Sequence, residues 1–275
     1  MKIAITGASG FVGRRLMEIA SGHTFHAIST RAGVVAGDFE GCDAVVNLAG
    51  EPVAQSWSIA ARARIRSSRV EGTRSIVEAL RRNPPAVLVS ASAIGYYGSR
   101  GDEVLTESSE PADDFLGRLA VEWEREALRA EEFGVRVVTL RIGVVLGEGG
   151  ALAKMLPIFR LGLGGRIGDG QQWMSWIHLD DLARLIEFAL ENPVRGAINA
   201  TAANPVTNAE FTRELGRALH RPAVFPVPKF ALRMLYGEMA EIVWASQRVM
   251  PQAALSAGFR FQFPELPTAL NRILT

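Results

Sequence analysis

Thr6-Gly7-Ala8-Ser9-Gly10-Phe11-Val12-Gly13 is the stretch from which the fold is read. It follows a short β-branched run, Lys2–Thr6, and opens Phe11–Ile19, where Phe11, Val12, Leu16 and Ile19 recur at helical spacing. A G-x-x-G-x-x-G between a first strand and a first helix has a physical meaning. Glycines let the backbone turn tightly and come close to a diphosphate, whose charge meets unpaired N–H groups and the positive end of the helix dipole. Gly13 lets the helix pack close to the sheet. The expected ligand is a dinucleotide, contacted by Thr6, Gly7, Ser9, Gly10, Phe11, Val12 and Gly13.

Working outward, the strand and helix alternation repeats. Phe25–Ser29, Ala44–Leu48, Ala86–Ser90 and Val135–Ile142 read as strands, and Ile59–Arg82 and Phe115–Phe133 as helices. Short, almost continuously apolar strands between helices indicate a parallel sheet covered on both faces. The fold class is therefore α/β, a Rossmann-type doubly wound parallel sheet with a smaller C-terminal lobe. Residues 1–147 form mainly the dinucleotide-binding part and 148–275 mainly the substrate lobe, with Trp173–Leu190 and Ala197–Ala200 as segments that can return to the sheet. A shortened strand is expected around Val34-Val35, helices over Asn208–Leu219 and near Phe230–Val243, and an edge strand over Gly258–Phe263.

The second strand ends Ile28-Ser29-Thr30-Arg31, where a chain preferring NAD would usually present an acid to the ribose 2′-hydroxyl. Small hydroxyls and a permanently cationic guanidinium instead suit a 2′-phosphate, which Arg31 can grip at two points. NADP is the expected cofactor, with Ser29, Thr30 and Arg31 on its phosphate. As an ordinary surface residue, Arg31 would simply be a solvated loop charge.

The chain has 275 residues, 48% of them hydrophobic and 21% charged, which is globular composition and excludes disorder. Thirty basic against 29 acidic side chains leave a net charge of +1, so no global field recruits nucleic acid or anionic lipid. Arg62, Arg64, Arg66, Arg69 and Arg74 form the densest basic stretch. Without interleaved aromatics they read as a solvated helix face, or as arginines reaching cofactor or substrate phosphates. Cys42 is the lone cysteine, which suits a reducing compartment. No apolar run approaches the ~20 residues of a membrane span, and Met1–Thr6 runs straight into glycines without a signal-peptide core. We read the chain as starting at its own first strand, in the cytoplasm, and leave a homodimer open.

Other segments carry a resemblance. Asn47-Leu48-Ala49-Gly50, the serine-rich Ser90-Ala91-Ser92-Ala93-Ile94-Gly95-Tyr96-Tyr97-Gly98, Arg141–Gly147 and Trp176–Asp181, with the glycine spacing, resemble the landmarks of extended short-chain dehydrogenases/reductases. Gly50-Glu51-Pro52, Ser68-Arg69-Val70, Asp114-Phe115-Leu116, Trp123-Glu124, Gln172–His178 and Asn204–Asn208 resemble the atypical subgroup called family 39U, the "epimerase family proteins". The match covers nearly the whole chain. It implies that Leu48, Ala49 and Gly50 lie beside the adenine side of the cofactor, with Ser90 also at the cofactor.

Typical members use a Tyr-x-x-x-Lys pair, and this chain has none: its lysines are Lys2, Lys154 and Lys229, and its tyrosines are Tyr96, Tyr97 and Tyr236. Aligning on Glu122 puts Asp114 or Phe115 in the tyrosine's place and Arg118 in the lysine's. Ser92 matches the family's catalytic serine, with Ser90 as the fallback. Tyr97, or its neighbour Tyr96, is the candidate proton donor, and Arg118 an electrostatic substitute for the lysine. His178 beside Asp180-Asp181 lacks metal-ligand spacing, and no metal is expected. Trp173 is a candidate pocket wall. Two functions follow as expectations: an NADP-dependent oxidoreductase or epimerase-like enzyme acting on a small carbonyl or alcohol, or a non-catalytic NADP-binding sensor or regulator.

Overall fold

The computed structural model describes residues 1–31 and 33–275, apart from the side chains of 231, 235 and 236. In chain order it holds β1 (Lys2–Thr6), α1 (Phe11–Ile19), β2 (Thr24–Ile28), β3 (Ala44–Asn47), α2 (Ile59–Leu80), β4 (Val87–Ala93), β5 (Val104–Leu105), α3 (Phe115–Leu128), β6 (Arg136–Ile142) and β7 (Val144–Leu146). There follow α4 (Gly150–Arg160), β8 (Trp173–Met174), β9 (Trp176–His178), α5 (Leu179–Glu191), β10 (Gly196–Ala200), β11 (Val206–Thr207), α6 (Asn208–Ala218), α7 (Lys229–Tyr236), α8 (Ala240–Trp244), β12 (Arg248–Val249), α9 (Gln252–Ser256) and α10 (Leu266–Leu274).

Six of these strands make one parallel sheet in the order β2-β1-β3-β4-β6-β10. The strands are apolar along their whole length because both faces are covered. On one face Ile3, Ile5, Val46, Val89 and Leu140 pack with Leu16 of α1 and Leu182, Leu185 and Ile186 of α5. On the other, Ala4, Val45, Leu88 and Val137 pack with Ile76, Val77 and Leu80 of α2 and Ala127 of α3. A separate core of Leu152, Leu156, Phe211, Leu215, Leu266 and Leu270 holds the second lobe together. Among the described residues, no helix is long and apolar enough to cross a membrane.

Because β2 lies on one side of β1 and β3 on the other, the strand order reverses between β1 and β3. Such a switch point opens a crevice at the carboxyl ends of the strands, where ligands of open parallel sheets bind.

Two expected strands are absent from the described structure. Val34-Val35 leads into a 3₁₀ turn, Ala36–Phe39, instead of a shortened strand. The Asp38 carboxylate accepts the Val35 N–H at 2.8 Å and turns the chain, leaving Val35 exposed and burying Phe39. Gly258–Phe263 is no edge strand either. Its N–H groups at Gln262 and Phe263 donate to the two oxygens of the buried Asp181, at 2.7 and 2.8 Å, so a side chain supplies what a neighbouring strand would have.

Candidate functional site

The glycine loop sits at the switch point. Gly7 has φ +75°, and a Cβ there would lie 2.7 Å from the Leu48 carbonyl, so the β1 and β3 ends approach as only glycine allows. A Cβ on Gly13 would come 2.4 Å from the Gly7 oxygen. Gly10 is the N-cap of α1; no side chain caps the helix and its first turn holds no acid. The N–H groups there remain available to an anion. Parallel register pairs Thr6 with Ile28 on one side and Asn47 on the other. Ser29-Thr30-Arg31 and Leu48-Ala49-Gly50 therefore leave the sheet on either side of the loop, with Ser29 and Arg31 exposed. These features fit a dinucleotide.

Some of the expected contact residues have other tasks. Thr6 Oγ1 donates to Asn47 Oδ1 at 2.7 Å, and Asn47 Nδ2 donates to Thr73 Oγ1 at 3.0 Å and Ser90 Oγ at 3.3 Å. Thr6 and Ser90 are fully buried, so their hydroxyls tie β1, β3, β4 and α2 together beneath the loop. The Phe11 ring lies under Gly147, Gly149 and Gly150, where added Cβ atoms would come within 2.8, 2.9 and 3.2 Å of it. Val12 packs into the sheet core, and the Ser9 carbonyl accepts Arg14 Nη1 at 2.8 Å.

The hydroxyls expected to be catalytic are engaged within the protein. Ser92 Oγ donates to Glu124 Oε1 at 2.6 Å, and Glu124 receives Arg141 at two points, Nε to Oε1 and Nη2 to Oε2, each 2.9 Å. Arg141 Nη1 donates to Tyr97 Oη at 2.9 Å, and Tyr97 Oη donates to Asn199 Oδ1 at 2.6 Å. Ser92 is 3% exposed and Tyr97 0%. Burial pushes the Tyr97 phenol up to about 12, against the pull of the Arg141 charge. The structure thus brings Ser92 and Tyr97 together inside a buried network joining β4, β6, β10 and α3, directly behind the cleft wall formed by their neighbours Ala93, Gly98, Trp123 and Ile142. Arg118 stands at the cleft rim, largely exposed and paired with Asp113 at 2.7 Å. Sequence reading missed Glu124, Arg141 and Asn199 as one unit. The signal was a charged residue, Arg141, next to the last position of the strand Arg136–Ile142.

Outside the carboxyl ends of β4 and β6 lies a cleft of about 710 Å³ between the sheet and the second lobe. Its walls include Trp57, Phe115 and Trp123 with Arg62, Arg69 and Asp114. Asp114 is the N-cap of α3, its Oδ1 accepting the Gly117 N–H at 2.8 Å. His178 caps α5 in the same manner, Nδ1 accepting the Asp180 N–H at 3.1 Å, and burial lowers its pKa. Trp173 donates Nε1 to Asp102 at 2.8 Å and carries Arg248 over its ring, outside the cleft walls.

Comparison with known proteins agrees with this architecture. Residues 3–201 match the model of the NAD dependent epimerase/dehydratase family, and residues 227–273 match a domain of unknown function, DUF1731. An epimerase family protein SDR39U1 homolog, chloroplastic, from Arabidopsis thaliana is 42% identical over 100% of this chain and 87% of its own. The epimerase family protein YfhF of Bacillus subtilis is 36% identical over 100% and 98%. The crystal structure of human SDR39U1 (isoform 2) with NADPH superposes with a TM-score of 0.92 at 34% identity, covering 100% of this chain and 99% of that one. The chain therefore belongs to the NAD dependent epimerase/dehydratase family, among the epimerase family proteins of SDR39U1 type.

Proposed function

We propose that the protein is an NADP-dependent oxidoreductase of epimerase type acting on a small carbonyl or alcohol held in the cleft between sheet and second lobe. The observation that carries this reading is the cleft of about 710 Å³ outside the carboxyl ends of β4 and β6, the same end of the parallel sheet at which β1 leads into the uncapped start of α1. Gly7, Gly10 and the first N–H groups of α1 hold the diphosphate, and Ser29, Thr30 and Arg31 hold the 2′-phosphate. The human relative's NADPH supports that choice. Bound there, the cofactor supplies or accepts a hydride. The lone Cys42 fits the reducing cytoplasm in which such a couple operates.

Proton transfer falls to the cleft wall, because the Ser92 and Tyr97 hydroxyls are engaged below it. Asp114 stands on that wall and, with Phe115, is one of the two residues that the Glu122 register puts in the place of the family's tyrosine. One carboxylate oxygen caps α3, and the carboxylate can accept a proton from an alcohol. Asp114→Asn is a clean test, since asparagine caps helices equally well. In a screen of NADP reduction by alcohols and NADPH oxidation by carbonyls, this variant is expected to bind NADPH normally and lose at least ~100-fold in kcat. Undiminished turnover in the variant would sink the assignment.

A second reading has its own support: α3 carries neither tyrosine nor lysine, and the serine and tyrosine hydroxyls are bound internally. A non-catalytic NADP-binding regulator would show tight NADPH binding and no turnover in that screen.

A further inference from the structure

Among the described residues, burial works against the guanidinium charge of Arg141, Arg136 and Arg69, and the first two are satisfied by the protein. Arg141 is matched by the Glu124 carboxylate. Arg136 donates to the carbonyls of Ala189, Val194 and Leu190 at 2.8, 2.9 and 2.9 Å. Arg69 differs. Its Nη1 donates to the carbonyls of Glu51 at 2.9 Å and Ile65 at 3.3 Å, while Nε and Nη2 have no protein acceptor among the described residues. No carboxylate of those residues lies within ion-pair distance. Burial, only partly offset by Glu51, pulls its pKa down to about 10. A half-buried guanidinium with an open side and no carboxylate partner presents charge-assisted donors to an incoming anion.

Its surroundings indicate what that anion carries. Arg69 lies with its Cζ 5.1 Å from the Trp123 ring. Arg62 stands seven residues earlier on α2, two turns away, so both side chains leave the same helix face about 10 Å apart. The Arg62 Cζ is 5.5 Å from the Trp57 ring and 5.1 Å from the Phe115 ring. Its Nε is buried without a partner, while its outer nitrogen reaches Glu238. All five residues line the cleft. The open donors of Arg69, with the Glu238-paired Arg62 guanidinium and three aromatic rings on the same wall, suit an anionic oxygen group on an apolar body.

We infer that Arg69, aided by Arg62, binds the anionic head of the substrate, so that the cleft takes a small carboxylate or phosphate monoester with an aromatic or apolar body. This rests on the reading of the cleft as the substrate site beside bound NADP(H). The competing source of the same chemistry is the dinucleotide's own phosphates.

The test is calorimetric titration with phenylacetate, phenyl phosphate and the neutral phenylacetamide, on protein with and without saturating NADPH. At least one anion is expected to bind tenfold or more tightly than the amide. R69Q should abolish the preference, R62Q should weaken it severalfold, and R213Q on exposed α6 should leave it intact. R69K keeps the charge but not the fork, so it should retain a reduced preference and guards against a folding defect in R69Q. Equal binding of anions and amide, or a preference that survives R69Q, overturns the proposal. So does an R69Q variant that loses NADPH affinity by the same factor as probe affinity, which assigns Arg69 to the dinucleotide. If the wild type fails to bind NADPH, the cofactor reading falls, and titration of the cofactor-free protein still decides for or against the anion receptor.

Discussion

Glu124 of α3 and Arg141 of β6 meet in a two-point contact, Nε to Oε1 and Nη2 to Oε2 both at 2.9 Å, with the Arg141 guanidinium 3.4 Å from the centre of the Tyr96 ring. Ser92 and Tyr97 hydrogen-bond to the two partners, so the residues most like catalytic groups in the sequence are tied to a buried charge pair. Such a pair is specific more than it is stabilising, because desolvation offsets its attraction; losing one member leaves the other charge uncompensated.

Glu124→Gln is accordingly expected to destabilise the fold by about 3–5 kcal/mol, measured by urea unfolding. Ser92→Ala removes one hydrogen bond to a charged acceptor and should cost about 1.5–3 kcal/mol. Turnover per folded Ser92→Ala molecule should stay within tenfold of wild type. A thousandfold fall in kcat with unchanged stability would return Ser92 to the reaction.

Arg31→Ala should weaken NADPH binding by about 1.5–3 kcal/mol, as for a hydrogen bond to a charged group, and leave NADH nearly unchanged. Calorimetry with both cofactors checks this, and equal losses would remove Arg31 from the 2′-phosphate.

Two glycines of the loop should separate binding from folding. At Gly10 the nearest atom to an added Cβ is the Gly7 oxygen at 3.0 Å, and the backbone is extended, so Gly10→Val should fold while blocking the dinucleotide. At Gly13 a Cβ would strike the Gly7 oxygen at 2.4 Å, so Gly13→Ala should lose roughly 1–3 kcal/mol of stability. Melting curves with and without NADPH distinguish the two outcomes; a Gly10→Val protein still stabilised by NADPH contradicts the loop assignment.

Acid stability has an identifiable contributor in Glu126. Hydrogen bonds from Arg74, opposed by burial and helped by Arg129, hold its carboxyl at about 2, below the ordinary 4.5. A depressed carboxylate contributes stability above the unfolded value, and that contribution is lost as pH falls from about 4.5 toward 2. Unfolding free energies of wild type and Glu126→Gln should therefore converge as pH drops through this window. A constant difference across it would show that Glu126 does not titrate as described.

The glycine spacing, the apolar strands and the strand-to-helix alternation determined the parallel sheet and the loop at its first turn, because these are local or periodic properties of the chain. The same locality explains the reading of Ser29-Thr30-Arg31, which leaves the sheet directly beside that loop. What tertiary structure alone decided is which polar groups face one another. Asp181 supplies acceptors to Gln262 and Phe263, about 80 residues away, and so replaces an expected strand. Glu124 and Arg141 draw the Ser92 and Tyr97 hydroxyls into the interior, and Asp114, Arg62 and Arg69 are left on the cleft wall. A hydroxyl or a guanidinium carries no mark in the sequence of whether its partner is a ligand or a distant side chain. Only packing, by excluding water from some of these groups and not others, assigns them.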